Sequence, residues 1–397
     1  MRELLAIPAF RRFVVASFIT LVGNQLHRIA LFVYVYQKTG STASVAAVLS
    51  AQLLVDVFLS PFLATWAEHR ERRDLFVASQ LIQGILVLLI PLWGMQSLTV
   101  LWLLVFAIHI FQKLEYPLIA AITPEIVPGR LLDEANGLLA SLQRFTEVAV
   151  VGLAGLLVAM IGPVFAFYLD ALSFFISALL LRGLPRLEPV ARAQGSYWSQ
   201  VKEGFFFIYR HPVLRRALMA LFVAALLGSV ENVLGVALAV GELKVGSAGY
   251  GVIEMALALG AVLGAIWVPQ WTRRLGRERV FAYSLVLFGL GVASIGAWPV
   301  FFWAIAAYFL SGVFNQGFLV PLRSLLQLET PRHLVTRVFG AVGSISGTAV
   351  LVGIMGGGVV ADRIGVLPTY FLAGMGVALV GVYLIAIKLR SRYLPPR

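Results

Sequence analysis

Polar side chains disappear from this chain for about twenty residues at a time, the length at which a helix crosses a bilayer. Such apolar runs recur at about 13–36, 42–66, 75–94, 98–121, 136–161 and 164–182. A second group follows at about 214–240, 248–271, 280–297, 300–322, 337–361 and 367–388. The connections are short and carry turn residues, among them Gly94, Gly162-Pro163, Trp298-Pro299, Gly365 and Pro368. The pattern predicts an all-α membrane protein with twelve transmembrane helices.

Composition agrees: 60% of residues are hydrophobic and 13% charged, where soluble chains carry about 25% charged residues. A soluble reading would need a larger core than a chain of this size encloses. With no cysteine, disulfides, thiolate metal sites and thiol catalysis are excluded. The first residues show no short apolar core with a small-residue cleavage site, so the first span itself is expected to direct insertion.

The net charge of +12 would suit nucleic acid, but its distribution points elsewhere. With the N-terminus inside, cytoplasmic segments hold 25 of the 31 Lys and Arg. Three are external (Lys38, Lys244, Arg363) and three fall within spans (Arg28, Lys113, Arg144). That bias places both termini in the cytoplasm. The basic balance is a topology signal, and no nucleic-acid partner is expected.

One long connection, 183–213, carries Pro185, Pro189 and Gly195, then an aromatic and basic run from Tyr197 to Pro212. The run reads as an amphipathic helix lying on the inner leaflet. It divides the chain into an N-terminal bundle, 1–182, and a C-terminal bundle, 214–397. An internal repeat supports the division. An offset of 203 pairs Pro128 with Pro331, Gly137 with Gly340 and Gly162 with Gly365; an offset of 205 pairs Trp66 with Trp271 and Arg72 with Arg277. Two pseudo-symmetric six-helix bundles in parallel orientation follow.

The connection after span 2 holds Ala64, Glu68, His69, Glu71, Arg72 and Arg73. It resembles the loop signature of the major facilitator superfamily, Gly-x-x-x-Asp-Arg-x-Gly-Arg-Arg, with Glu68 for the Asp, His69 for the first Arg, and Ala64 and Glu71 for the glycines. Its counterpart after span 8 keeps Gly276 and Arg277. Three further stretches are similar to the drug:proton antiporter branch that contains macrolide-efflux and enterobactin-export proteins. They are Tyr36–Ser41, Pro124–Gly137 and Arg210–Arg215. The resemblance covers the whole chain and implies a secondary transporter of the bacterial inner membrane, usually an exporter. One departure is the span-5 antiporter signature: Gly152, Gly155, Gly162 and Pro163 occur without its Gly-Pro followed by Gly-Gly. The loop residues, with Arg337 at the start of span 11, would act as a cytoplasmic gate, with Arg274 or Arg277 meeting Asp133 or Glu134. They would not be substrate ligands.

Ionisable residues inside spans are costly and mark candidate sites. Glu147 and Arg144 share a face of span 5; they read equally as a proton site and as a permanent buried ion pair. Asp56 in span 2 has no opposite charge one turn away, so its partner must come from another helix, with Arg28 or Arg144 as candidates. In span 4, His109 lies near mid-membrane, either as a titrating group or as a hydrogen-bonded histidine between helices. Lys113 and Glu115 lie toward the cytoplasm, where they would snorkel or pair. Glu231 and Asn232 sit beside Gly228 and Gly235 in span 7, a second coupling or cation-binding position. Asp170 and Glu254 are expected near the external ends of their spans, in reach of water. Asn24, Gln25, His27 and Arg28 in span 1, and Asn315 and Gln316 in span 10, are polar patches that would line a cavity or hold helices together.

No Gly-x-x-x-x-Gly-Lys-Ser/Thr loop and no nucleophile–base or metal-ligand motif is present, so neither an enzyme nor a bound cofactor is expected. The leading function is proton-coupled efflux of amphipathic, drug-like small molecules by a monomer in the bilayer, its partners being that substrate and protons. A siderophore or metal-ion exporter on the same fold is the first alternative. A membrane sensor or scaffold that does not transport is the second.

Overall fold

A computed structural model describes residues 2–59, 63, 71–186, 206–330 and 335–386, and these are helical with short connections. The short α1 (Arg2–Ala6) leads into α2 (Pro8–Thr39) and α3 (Thr42–Leu54). Next come α4 (Arg72–Leu92), α5 (Leu98–Ile126), α6 (Leu132–Phe145) and α7 (Val151–Leu181). The second group is α8 (Pro212–Gly228), α9 (Glu231–Val236), α10 (Gly246–Leu275), α11 (Arg277–Ala297), α12 (Phe301–Glu329), α13 (Val335–Ile364) and α14 (Val366–Ala386). Much of the amphipathic stretch expected before α8 lies outside the described residues. Within its described part, Phe206–Arg210 is helical.

Among the described residues eleven helical segments are long and apolar enough to cross a membrane. One of them, Glu134–Leu181, runs for 48 residues. At 1.5 Å per residue that is about 70 Å, roughly twice the apolar thickness of a bilayer. It breaks at Gly162, whose φ of 79° and ψ of 162° are non-helical, followed by Pro163. Span 7 is also interrupted: α8 stops at Gly228, Ser229 and Val230 turn, and α9 begins at Glu231.

Contacts group the chain into two compact units. The first comprises Met1–Gly40, Ala47–Gln194 and Val245–Met255. The second comprises Ser41–Ala46, Gly195–Lys244 and Ala256–Arg397. In the first, α7 packs along both α2 and α4, and α4 packs on α5. In the second, α14 packs along α11 and α8, and α11 packs on α12. The same helix pairs, six spans apart, meet in each unit.

Lipid supplies no hydrophobic drive between helices, so they adhere by close backbone approach. Gly374 of α14 shows this in the second unit: a carbon added there would lie 2.2 Å from the Ala293 amide nitrogen and 2.5 Å from the Gly289 carbonyl oxygen. The first unit gathers larger side chains into one cluster. Phe10, Phe13, Phe76, Leu118 and Ile122 are buried together there, and the Phe13 and Phe76 rings meet edge to face at 6.3 Å.

The stretches behind the family resemblance are helix punctuation. Gly40 takes the left-handed conformation (φ 62°) that closes α2, its N–H donating to Tyr36 O at 2.8 Å. Val127 is extended before Pro128 and ends α5. His211 caps α8 ahead of Pro212. At the first turn of α3, Asp362 accepts from the N–H groups of Thr42 (2.8 Å) and Ala43 (3.3 Å) and from the Ser41 hydroxyl (2.5 Å). A carboxylate is well placed at that positive helix end.

Candidate functional site

Two of the candidate acids stand on π-helical turns, which frequently mark functional sites. Asp56 lies in the turn Val55–Leu59 that ends α3, and Glu147 in Thr146–Val150 between α6 and α7. An extra residue in the turn re-aims the side chains around it, and hydropathy carries no signal for it.

The Asp56 carboxylate oxygen Oδ1 accepts from His109 Nε2 at 2.9 Å and from Lys113 Nζ at 2.8 Å. His109 and Lys113 are four residues apart, so they share a face of α5. The expected partners of Asp56, Arg28 and Arg144, are both engaged elsewhere. Lys113 pairs, one of its two expected readings, and Asp56 is the partner. All three side chains remain partly accessible, Asp56 at 35%. The other ring nitrogen of His109, Nδ1, lies 2.8 Å from Gln112 Oε1. With Gln112 accepting, both ring nitrogens donate and the imidazole is positive. With its amide turned over, Gln112 donates to a neutral ring. The same geometry therefore accommodates either protonation state of His109.

Arg144 and Glu147 form the expected pair, Nη1 to Oε2 at 2.7 Å, with Gln143 also donating to Glu147 at 3.2 Å. Arg144 is 70% exposed, so the pair is not the buried bolt that was one of its two readings.

Span 1 is polar on more than one side. Arg28 pairs with Glu254 at 3.2 Å, while Asn24 and Gln25 are half-buried. Glu254 is almost wholly covered, which corrects the expectation that it reaches water. Asp170 is likewise fully buried; its Oδ2 meets His27 Nδ1 at 2.9 Å. The reason is the break at Gly162. The helix restarts there and carries Asp170 two turns, about 10 Å, into the bundle.

Glu115 faces amides of α4. Gln80 and Gln83 of α4 donate to its Oε1 at 3.0 and 3.1 Å, and Thr20 of α2 donates to Gln80 at 3.1 Å. The bond between His27 and Asp170, and the amides of Gln80 and Gln83 around Glu115, were missed. The available signal was a polar residue on each of three apolar helices of one bundle.

In the second unit, Glu231 is buried at the first turn of α9, and its carbonyl oxygen accepts from Tyr308 at 3.4 Å. Tyr308 and Tyr370 share a hydrogen bond of 2.6 Å. Asn232 is exposed and donates to Ser229 O, and Asn315 and Gln316 are half-buried on α12.

Of the gate-loop residues, Ala64 and Glu68 lie outside the described residues. Arg337 falls in the first turn of α13. Arg72 is buried and paired with Glu125 at the end of α5, and Arg73 donates to Asp74 and to Leu184 O. Both arginines thus tie helix ends within the first unit. Gly276 adopts φ 85° at the start of α11, with Arg277 exposed beside it.

Helices of this length define a multi-pass membrane protein, and comparison with known proteins makes it a transporter of the major facilitator type. Residues 4–393 match the family described as transmembrane secretion effector, and the chain belongs to that family. It is 24% identical to the multidrug efflux pump Tap of Mycolicibacterium fortuitum, over 91% of each chain. It is 26% identical to the enterobactin exporter EntS of Citrobacter koseri, over 98% of this chain and 94% of that one. The nucleoside transporter NupG superposes with a TM-score of 0.77 at 15% identity, covering 96% of this chain and 98% of NupG, which shows a shared fold. Relatives that are transporters set aside both an enzyme and a scaffold that does not transport.

Proposed function

We propose that this protein is a proton-coupled exporter of amphipathic small molecules in the bacterial inner membrane, working as a monomer by alternating access. In this reading twelve helices form two six-helix halves, 1–182 and 214–397, joined by 183–213, with both termini cytoplasmic. The break at Gly162 supports counting Glu134–Leu181 as two spans. The observation that carries the function is the partly accessible triad of Asp56, on a π turn, with His109 and Lys113 of α5. An acid held by two donors, an imidazole and an ammonium, can bind and release a proton as its surroundings change. Glu147, its proton affinity set by Arg144, is a second acid, and Glu231 a third. Asn24, Gln25, Arg28, Asn232, Asn315 and Gln316 supply hydrogen-bonding groups for cargo.

The likeness to EntS favours a siderophore as the alternative cargo. A metal-ion cargo has less support: among the described residues no group of three or more His, Asp or Glu could hold a metal ion. The test is flux of fluorescent amphipathic dyes and of a catecholate siderophore in proteoliposomes under an imposed pH gradient. Dye flux that follows the gradient and is lost in Asp56→Asn supports the reading. Flux of the siderophore alone moves the cargo to the alternative, and flux indifferent to pH overturns the coupling.

A further inference from the structure

Three cations fall within spans, and one of them is held less completely than the others. Lys113 and Arg144 meet their acids at 2.8 and 2.7 Å. Arg28 of α2 meets Glu254 of α10 through Nη2 at 3.2 Å. Its Nε is buried and has no hydrogen-bond partner among the described residues. A carboxylate seated on the Nε edge of a guanidinium takes two parallel bonds; Glu254 leaves Nε unused. The Arg28 side chain is nevertheless 41% accessible, against 10% for Glu254. A group with five N–H donors is thus served by one acid.

Position gives this meaning. Arg28 lies eleven residues, about 16 Å, inside the end of α2 at Thr39. Glu254 lies eight residues, about 12 Å, inside the start of α10 at Gly246. A guanidinium accessible at such depth is costly against lipid, so it faces a polar space. Asn24 and Gln25, four and three residues earlier, share its side of α2 and are half-buried. Glu254 is fixed from behind. Gly251, one turn before it, lies against α7, where an added carbon would come 2.8 Å from Gly155 Cα. The acid therefore stays with its helix and orients the guanidinium, whose remaining donors are left for a ligand.

We propose that Arg28 is the anion-binding group of the cargo site, with Glu254 as its positioning residue, and that the cargo is an amphipathic organic acid carrying a carboxylate or similar oxyanion. The oxyanion takes the guanidinium donors that Glu254 leaves, and the amides of Asn24 and Gln25 donate beside them. Arg28 is then shared between two acids, so the charge of Glu254 weakens its hold on the cargo. A purely structural Arg28–Glu254 pair would join helices and ignore the charge of the cargo. The proposal rests on the reading of this protein as a carrier of amphipathic molecules and does not depend on proton coupling.

The test is binding of two probes of nearly one shape, pyrenebutyrate and its uncharged amide, pyrenebutyramide. The protein is held in phosphatidylcholine nanodiscs at a fixed neutral pH, and energy transfer from its eight tryptophans to pyrene reports binding. Uptake of probe into lipid is common to all variants and cancels between them. Arg28→Gln alone would strand a buried acid, so it is combined with Glu254→Gln, which removes both charges. In this double variant pyrenebutyrate should bind at least about tenfold more weakly, and pyrenebutyramide should change by less than about twofold. Glu254→Gln alone keeps an oxygen for Nη2 and should bind pyrenebutyrate about threefold more tightly. Equal losses for the two probes, or no loss for the acid, would overturn the proposal. Acid binding that does not tighten in Glu254→Gln overturns the sharing of Arg28. Wild-type protein that binds neither probe overturns the amphipathic cargo along with this site. A preference for the acid in protein whose dye flux ignores pH upholds the site while the coupling proposed above fails.

Discussion

Replacing Asp56 with Asn removes the charge that His109 and Lys113 both address and leaves the shape of the side chain unchanged. Each charge-assisted bond is worth about 1.5–3 kcal/mol where both partners are buried. Asp56 and Lys113 are each about one-third exposed, so water and salt screen the pair, and about 1 kcal/mol is the expected coupling between them. The single change Lys113→Met should therefore destabilise the wild type more than it destabilises Asp56→Asn. Eight tryptophans make intrinsic fluorescence a convenient monitor of thermal unfolding in detergent. If Lys113→Met has the same effect in both backgrounds, the two residues are not energetically coupled and the triad fails as a unit. Flux should follow a different rule from stability. Asp56→Asn should lose pH-driven flux, and adding Lys113→Met to it should not restore that flux.

Three further outcomes follow from local structure. Glu71 caps α4 by accepting from the N–H groups of Arg73 and Asp74, so Glu71→Ala should cost about 1 kcal/mol in thermal unfolding. A branched side chain at Gly374 meets backbone that has nowhere to move. Gly374→Val should cost about 3 kcal/mol or more and cut the yield of folded protein sharply. Asp362→Asn keeps one acceptor for the first turn of α3 but loses the charge, and a loss of about 1 kcal/mol is expected. A melting temperature unchanged in any one of these variants contradicts the contact it tests.

What was legible in the sequence follows physical rules that act locally. Apolar run length exposes spans, Gly and Pro expose caps and breaks, and a spacing of three exposes the Arg144–Glu147 pair. The partner of Asp56 was half legible: His109 and Lys113, four residues apart, form a face that seeks an acid, but which acid depends on helix packing. The burial of Asp170 was misread because the distance from a turn is not depth. A helix that restarts after Gly162 carries Asp170, eight residues on, well inside. The π turns at Asp56 and Glu147 leave no trace in hydropathy, since one extra residue in a helix changes direction and not composition.

The account turns on protons and cargo crossing in opposite directions. The direct measurement is the lumenal pH of proteoliposomes loaded with a transported dye, diluted into dye-free buffer of the same pH. Dye leaving the vesicles should draw protons in, so the lumen should acidify, and Asp56→Asn should abolish the change. A lumen that turns alkaline as the dye leaves, or keeps its pH, would contradict antiport.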